Sequence, residues 1–165
     1  MSFEIGEYVV YCGIEICKLL RYDKMTMGNT EREYCVLAPI ENNKSSYFVP
    51  VDLKDEKLRK LLTKDEVLSL IDEMSSAQGE WSNNMTERKN MYTKILHSNN
   101  YHDLIKLLKS IHDEALKRQS EGKHLPSIDE KALKSAEQLL HHEFSLVLGI
   151  PLDEIPDFIE RRANR

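Results

Sequence analysis

The hydrophobic pattern changes period once, near residue 52, and this change limits the chain to two kinds of structure in series. Before it, short apolar runs recur between turn residues, and none is long enough for a helix. Phe3-Glu4-Ile5 and Tyr8-Val9-Val10-Tyr11 flank Gly6-Glu7, residues 14–20 alternate loosely, and residues 32–37 and Tyr47-Phe48-Val49 are rich in β-branched and aromatic side chains. Gly28-Asn29 and the polar run 41–46 supply turns. Four or five short strands at this spacing, with no helix between them, predict a small antiparallel barrel or a strongly bent sheet.

After residue 52 the period is helical. A brief segment over 54–62 precedes Thr63-x-x-Glu66, a capping box that leads into Val67, Leu70, Ile71 and Met74 at helical spacing. Ser75-Ser76-Ala77-Gln78-Gly79 breaks the pattern and reads as a linker, and the helix before it can pack on either side. Three longer helices are then predicted. The first, over 86–97, has Met85, Arg88, Tyr92 and Ile95 on one side; the second, over 100–119, shows Tyr101, Leu104, Leu108, Ile111 and Ala115. The third opens with Ser127-x-x-Glu130 and runs through Ala132, Ala136, Leu139, Leu140, Phe144 and Val147 to Gly149, suited to a helix end. Pro151 and Pro156 favour one or two short terminal helices. Short connections make three antiparallel helices on a shared core the economical arrangement. The expected fold class is α+β, with a barrel-like β module over 1–60, a helix and linker over 61–80, and an all-α domain over 81–165.

Composition narrows the function classes. The longest apolar runs fall well short of the roughly 20 residues a bilayer span needs. The N-terminus carries no basic stretch followed by an apolar core, so a cytoplasmic location is expected. Cys12, Cys17 and Cys35 sit inside apolar runs and suit reduced core residues better than a disulfide framework or a metal site. His141-His142 point about 100° apart on a helix and read as a solvated face. No glycine-rich phosphate loop, nucleophile elbow or metal-ligand cluster appears, so neither an enzyme nor a cofactor is expected. The net charge of −5 argues against coating nucleic acid by bulk electrostatics. Its distribution is uneven: residues 1–80 sum to −5, residues 81–142 to +2 and residues 143–165 to −2, and all 6 histidines lie in the middle block. Any nucleic-acid contact belongs there.

The order of motifs carries a resemblance. The opening FEIGEYVVY, followed by Gly13 and Cys17-Lys18, is similar to the start of the CarD/CdnL family and of the polymerase-binding module of transcription-repair coupling factors. EREYCVLAPI resembles the family's second signature strand, and YFVPVDLKDEKLRKLLTKDEV its Val-Pro-Val-Asp phrase with the helices that follow. EWSNNMTERKNMYTKIL resembles the tryptophan-led entry to the family's helical domain, and LPSIDEKALKSAEQLLHHEFSLVLGIP its last long helix. The match covers about residues 3–156 without a long gap.

The resemblance implies a Tudor-like β module that docks on the β subunit of bacterial RNA polymerase. It also implies a helical domain that lies against promoter DNA at the upstream edge of the transcription bubble and favours the open complex. By it, Trp81 matches a tryptophan that wedges against the minor groove; as a residue in a linker setting, it can equally plug the gap between domains. Asn83 and Asn84 stand where relatives commonly carry phosphate-holding bases, with Arg88-Lys89 following later. Asparagine can bond a phosphate oxygen but releases no counterion, so DNA contact is expected to be weak, sequence-independent and less salt-dependent. Arg88 falls four residues before Tyr92 on the apolar side, so a buried structural arginine is the other reading. Lys131, after Asp129-Glu130, stands where the family often shows consecutive lysines. For polymerase, the candidates are Lys24, basic in some relatives, and the strand Tyr47-Phe48-Val49-Pro50, whose proline marks an edge. An interaction protein that binds polymerase or another partner without touching DNA is the alternative.

Overall fold

The computed structural model describes residues 2–13, 15–42 and 44–164. Ile14, read as part of a strand, and Asn43, read as part of a turn, lie outside them. The chain divides at Leu61/Leu62 into two compact units. The first holds the strands with a short helical turn and the second the long helices, so the fold is α+β.

In the first unit, β1 (Tyr8–Tyr11), β2 (Glu15–Met27), β3 (Thr30–Pro39), β4 (Tyr47–Pro50) and β5 (Leu58–Lys60) form one sheet in the order β4-β3-β2-β1-β5. All four pairings are antiparallel. β2 and β3 are far longer than the alternation suggested, because Gly28, at φ 63°, makes a two-residue loop that lets Met27 pair with Thr30 and the hairpin run on. The register slips between Leu19 and Arg21, a bulge that bends the strand. The sheet does not close into a barrel. Among the described residues β4 and β5 are its two edges.

Two local expectations fail for identifiable reasons. Phe3-Glu4-Ile5 is not a strand: Gly6, at φ 92°, turns the chain so that its N–H donates to the Leu19 carbonyl at 2.7 Å, and the Tyr22 hydroxyl donates to the Phe3 carbonyl at 2.5 Å. The segment 54–62 is not one helix. A single turn, α1 (Lys54–Lys57), gives way to β5, which pairs with β1 and buries Leu58 in the core. That core is Phe3, Val9, Cys17, Leu19, Cys35, Leu37, Val49 and Leu58. Cys17 and Cys35 are free thiols within it, and burial pushes the Cys17 thiol up to about 12, which keeps it protonated and unreactive.

The second unit contains α2 (Lys64–Met74), α3 (Met85–Leu96), α4 (Tyr101–Ser120), α5 (Ser127–Leu148) and α6 (Ile155–Ala163). Thr63, Asn84 and Asn100 cap α2, α3 and α4, each side chain accepting from a backbone N–H three residues on. The Ser127 box does not form: α5 begins inside Pro126 without a side-chain cap, and Asp129 turns inward instead. Gly149, at φ 68°, ends α5 as its sequence suggested. The core is wider than a three-helix bundle. α2 packs against α4, α5 and α6, and Arg162 of α6 donates to both carboxylate oxygens of Asp72 of α2 at 2.8 and 3.0 Å.

The stretch read as a linker is fixed to this unit. Ala77 is buried, and a Cβ at Gly79 would stand 2.2 Å from the Lys106 carbonyl oxygen of α4 and 2.7 Å from the Ser110 Cβ. Only a residue without a side chain lets the backbone pass there.

Candidate nucleic-acid interface

Trp81 lies just before α3, in a short polar segment folded back on itself. Ser82 Oγ donates to Glu87 Oε2 at 2.7 Å and accepts from the Asn84 N–H at 3.2 Å, while Asn84 Oδ1 accepts from the Glu87 N–H at 3.1 Å. These bonds bring the residue after the tryptophan back onto the first turn of the helix. Trp81 itself is half-buried, with the Arg88 guanidinium carbon 4.4 Å from its ring centroid. That distance is a cation–π stack.

Arg88 is not on the surface; it is 4% exposed. Its Nε and Nη2 donate to the two oxygens of Asp129 at 2.9 and 3.0 Å, and its Nη1 donates to the Ser82 carbonyl at 3.1 Å. Asp129 is wholly buried in the first turn of α5, and the Tyr92 hydroxyl donates to the same Oδ1 that Arg88 Nε uses. Paired in this way, a buried charge is stable where an isolated one is not. The hydrogen bond to Asp129 raises the Arg88 pKa, and burial raises that of Tyr92, so the arginine stays a cation and the tyrosine a neutral phenol across the physiological range.

This geometry sorts the six residues suggested for DNA. Arg88 is buried and each of its three guanidinium nitrogens donates inside the unit, in accord with the buried-arginine reading. Asn84 spends its carbonyl on the end of α3. Asn83, Lys89 and Lys131 are exposed, and Trp81 is partly so. Asp129 was seen in the sequence only as an acid displacing a base; its partnership with Arg88, 41 residues away, left no local signal. A second buried carboxylate, Glu143 of α5, accepts from the Leu62 N–H at 2.7 Å and from the Tyr101 hydroxyl. His141 and His142 are half-buried rather than solvated, and burial lowers the His141 pKa.

In the sheet, β4 pairs with β3 along one side only, so its outer edge offers backbone groups for strand addition. Phe48 is 46% exposed, whereas Val49 is 2% exposed and points into the core. Tyr47 is half-buried and stacks on Tyr11, their ring centroids 5.0 Å apart. Pro50, half-buried, ends the strand opposite Tyr34. Lys24 is exposed on the β2–β3 hairpin opposite Glu33, beyond the end of β4. Strand alternation puts Lys24 on the face of Tyr22 and Cys35, and Phe48 on the opposite face, with Val36.

Among the described residues no cluster of three His, Cys, Asp or Glu side chains could hold a metal ion, and no helix is long and apolar enough to cross a membrane. The chain is thus a sheet with an open edge followed by a helical unit that carries a partly exposed tryptophan. Residues 67–160 match the model of the CarD C-terminal domain, and the chain belongs to the CarD family. No curated protein matches it. Its family is one of transcription regulators rather than enzymes.

Proposed function

We propose that the protein binds the β subunit of bacterial RNA polymerase through its β unit and modulates the lifetime of the open promoter complex through its helical unit. The observation that carries this reading is Trp81: a large flat ring on a polar segment, gripped from beneath, in a chain whose helical unit matches a family of transcription regulators. Such a ring can stack on the last base pair or the first unpaired base at the edge of a bubble. Asn83, Lys89 and Lys131 would touch backbone phosphates around it. On the β unit, the open edge of β4 with Phe48 would supply strand pairing and an apolar anchor, with Lys24 as a peripheral charge. An equilibrium between closed and open complexes moves only if the open form is bound better.

The test is Trp81→Ala in the full chain. Open-complex lifetime should change while binding to a polymerase β fragment persists. A folded variant with unchanged lifetime ends the wedge reading, and collapse of the helical unit makes the tryptophan a structural plug.

A second reading is favoured by Arg88, one of the six suggested DNA contacts, being buried and bonded to Asp129 and Ser82. On it, the protein binds polymerase or another partner and does not touch DNA. A footprint of the polymerase–promoter complex with and without the protein separates the two: no added protection at the upstream bubble edge selects the second.

A further inference from the structure

The geometry points to Arg88 as a positioning residue that sets the orientation of the Trp81 ring, held in turn by Asp129 and Tyr92. The inference rests on the reading of Trp81 as the DNA-facing group only for its consequence in transcription. The positioning itself is a property of the free protein.

The argument starts from the shape of guanidinium. Its N–H groups lie in one plane, so bonds to two or more acceptors in fixed places fix that plane. Arg88 makes three such bonds: two to the carboxylate of Asp129 and one to the carbonyl of Ser82. The carboxylate is itself anchored. It sits in the first turn of α5, where the helix dipole favours an anion, and accepts from Tyr92, one turn after Arg88 on α3.

With each of its three nitrogens donating in the plane, the guanidinium has its flat face for stacking, and Trp81 lies over it at 4.4 Å. The bond to Ser82 adds a second point of hold, because that carbonyl belongs to the residue after the tryptophan. One side chain therefore grips both the ring and the backbone that carries it. A lysine in its place would keep the charge pair with Asp129, but not the plane or the fork.

A purely structural arginine would serve as well with the tryptophan elsewhere. What distinguishes positioning is that the order of Trp81 depends on the shape of residue 88 and not only on its charge. Trp81 is the only tryptophan, so emission excited at the red edge reports on it without the 7 tyrosines.

The experiment compares the unaltered full-length protein with Arg88→Lys, and with the apolar replacement Arg88→Met/Asp129→Leu/Tyr92→Phe, which removes every charge of the cluster together and so leaves none unpaired. Far-UV circular dichroism checks the helices. Trp81 anisotropy, emission maximum and acrylamide quenching are read in the free protein, and open-complex lifetime is read with polymerase. The expected result is retained helicity with lower anisotropy, red-shifted emission and stronger quenching in both variants. Unchanged anisotropy and quenching in either folded variant overturns the proposal. So does loss of helicity in both, which would make Arg88 a folding residue. Altered fluorescence with unchanged open-complex lifetime leaves the positioning standing and removes the wedge reading; altered fluorescence with altered lifetime supports both.

Discussion

The two units stabilise their interiors by different means. Among its described residues the β unit buries only apolar side chains and two thiols, and ion pairs such as Arg32 with Asp52 and Lys60 with Glu7 lie at the surface. The helical unit buries Arg88, Asp129 and Glu143 and satisfies them with tyrosine hydroxyls and a backbone N–H. An apolar core tolerates exchange of one hydrophobic residue for another of similar size, whereas a satisfied polar network fixes which residue meets which. The sheet is thus held by volume and the helices by partner choice. In the helical unit one member of that network, Arg88, also stacks on Trp81.

The contrast can be broken most sharply at Asp129. Asp129→Ala leaves the Arg88 charge buried and unpaired, and should cost about 3–5 kcal/mol in the denaturant unfolding of the helical unit; a cost near zero would mean that the network is ornamental. Leu37→Ala in the sheet should cost about 2–5 kcal/mol through the cavity it leaves, while Leu37→Met should restore most of it, as expected of a core held by volume. Glu143→Ala removes an acceptor used by the Leu62 N–H and the Tyr101 hydroxyl, and should cost about 1–3 kcal/mol in the same assay.

The smallest effect expected is in pH. Burial holds the His141 imidazole below its ordinary 6.5, with Glu137 opposing and His142 adding to the shift. As pH falls below 6.5 the unfolded chain takes up this proton before the folded one, so the helical unit loses stability on acidification from there. His141→Gln should flatten that part of the thermal-melt profile. The sheet, which has no histidine, should show no such loss in that window.

The sequence exposes local causes and hides distant ones. Thr63 capping α2 and Gly149 ending α5 could be read because each is complete within a few residues. The burial of Arg88 was visible as a four-residue spacing to Tyr92, but the carboxylate it meets lies on another helix and reads locally as a surface acid. β5 was missed for the same reason: Leu58-Arg59-Lys60 is a strand only because β1 offers an edge to it. Phe3-Glu4-Ile5 has strand composition, yet Gly6 sends the chain into a turn. Of the candidate interface, Trp81 and the exposed Phe48 were legible as single residues. The inward turn of Val49 depends on the register of β4 against β3, which no local pattern states.

Gly79 has a consequence for whatever Trp81 meets. Two residues before the tryptophan, the backbone lies so close to α4 that no side chain fits between them. A flexible tether would let the ring search many positions and lose that freedom on each encounter. Here the loss of chain entropy falls on folding, once, before any partner arrives. A tryptophan so placed would meet any target as part of an already ordered surface, with affinity governed by fit rather than by the ordering of a loop.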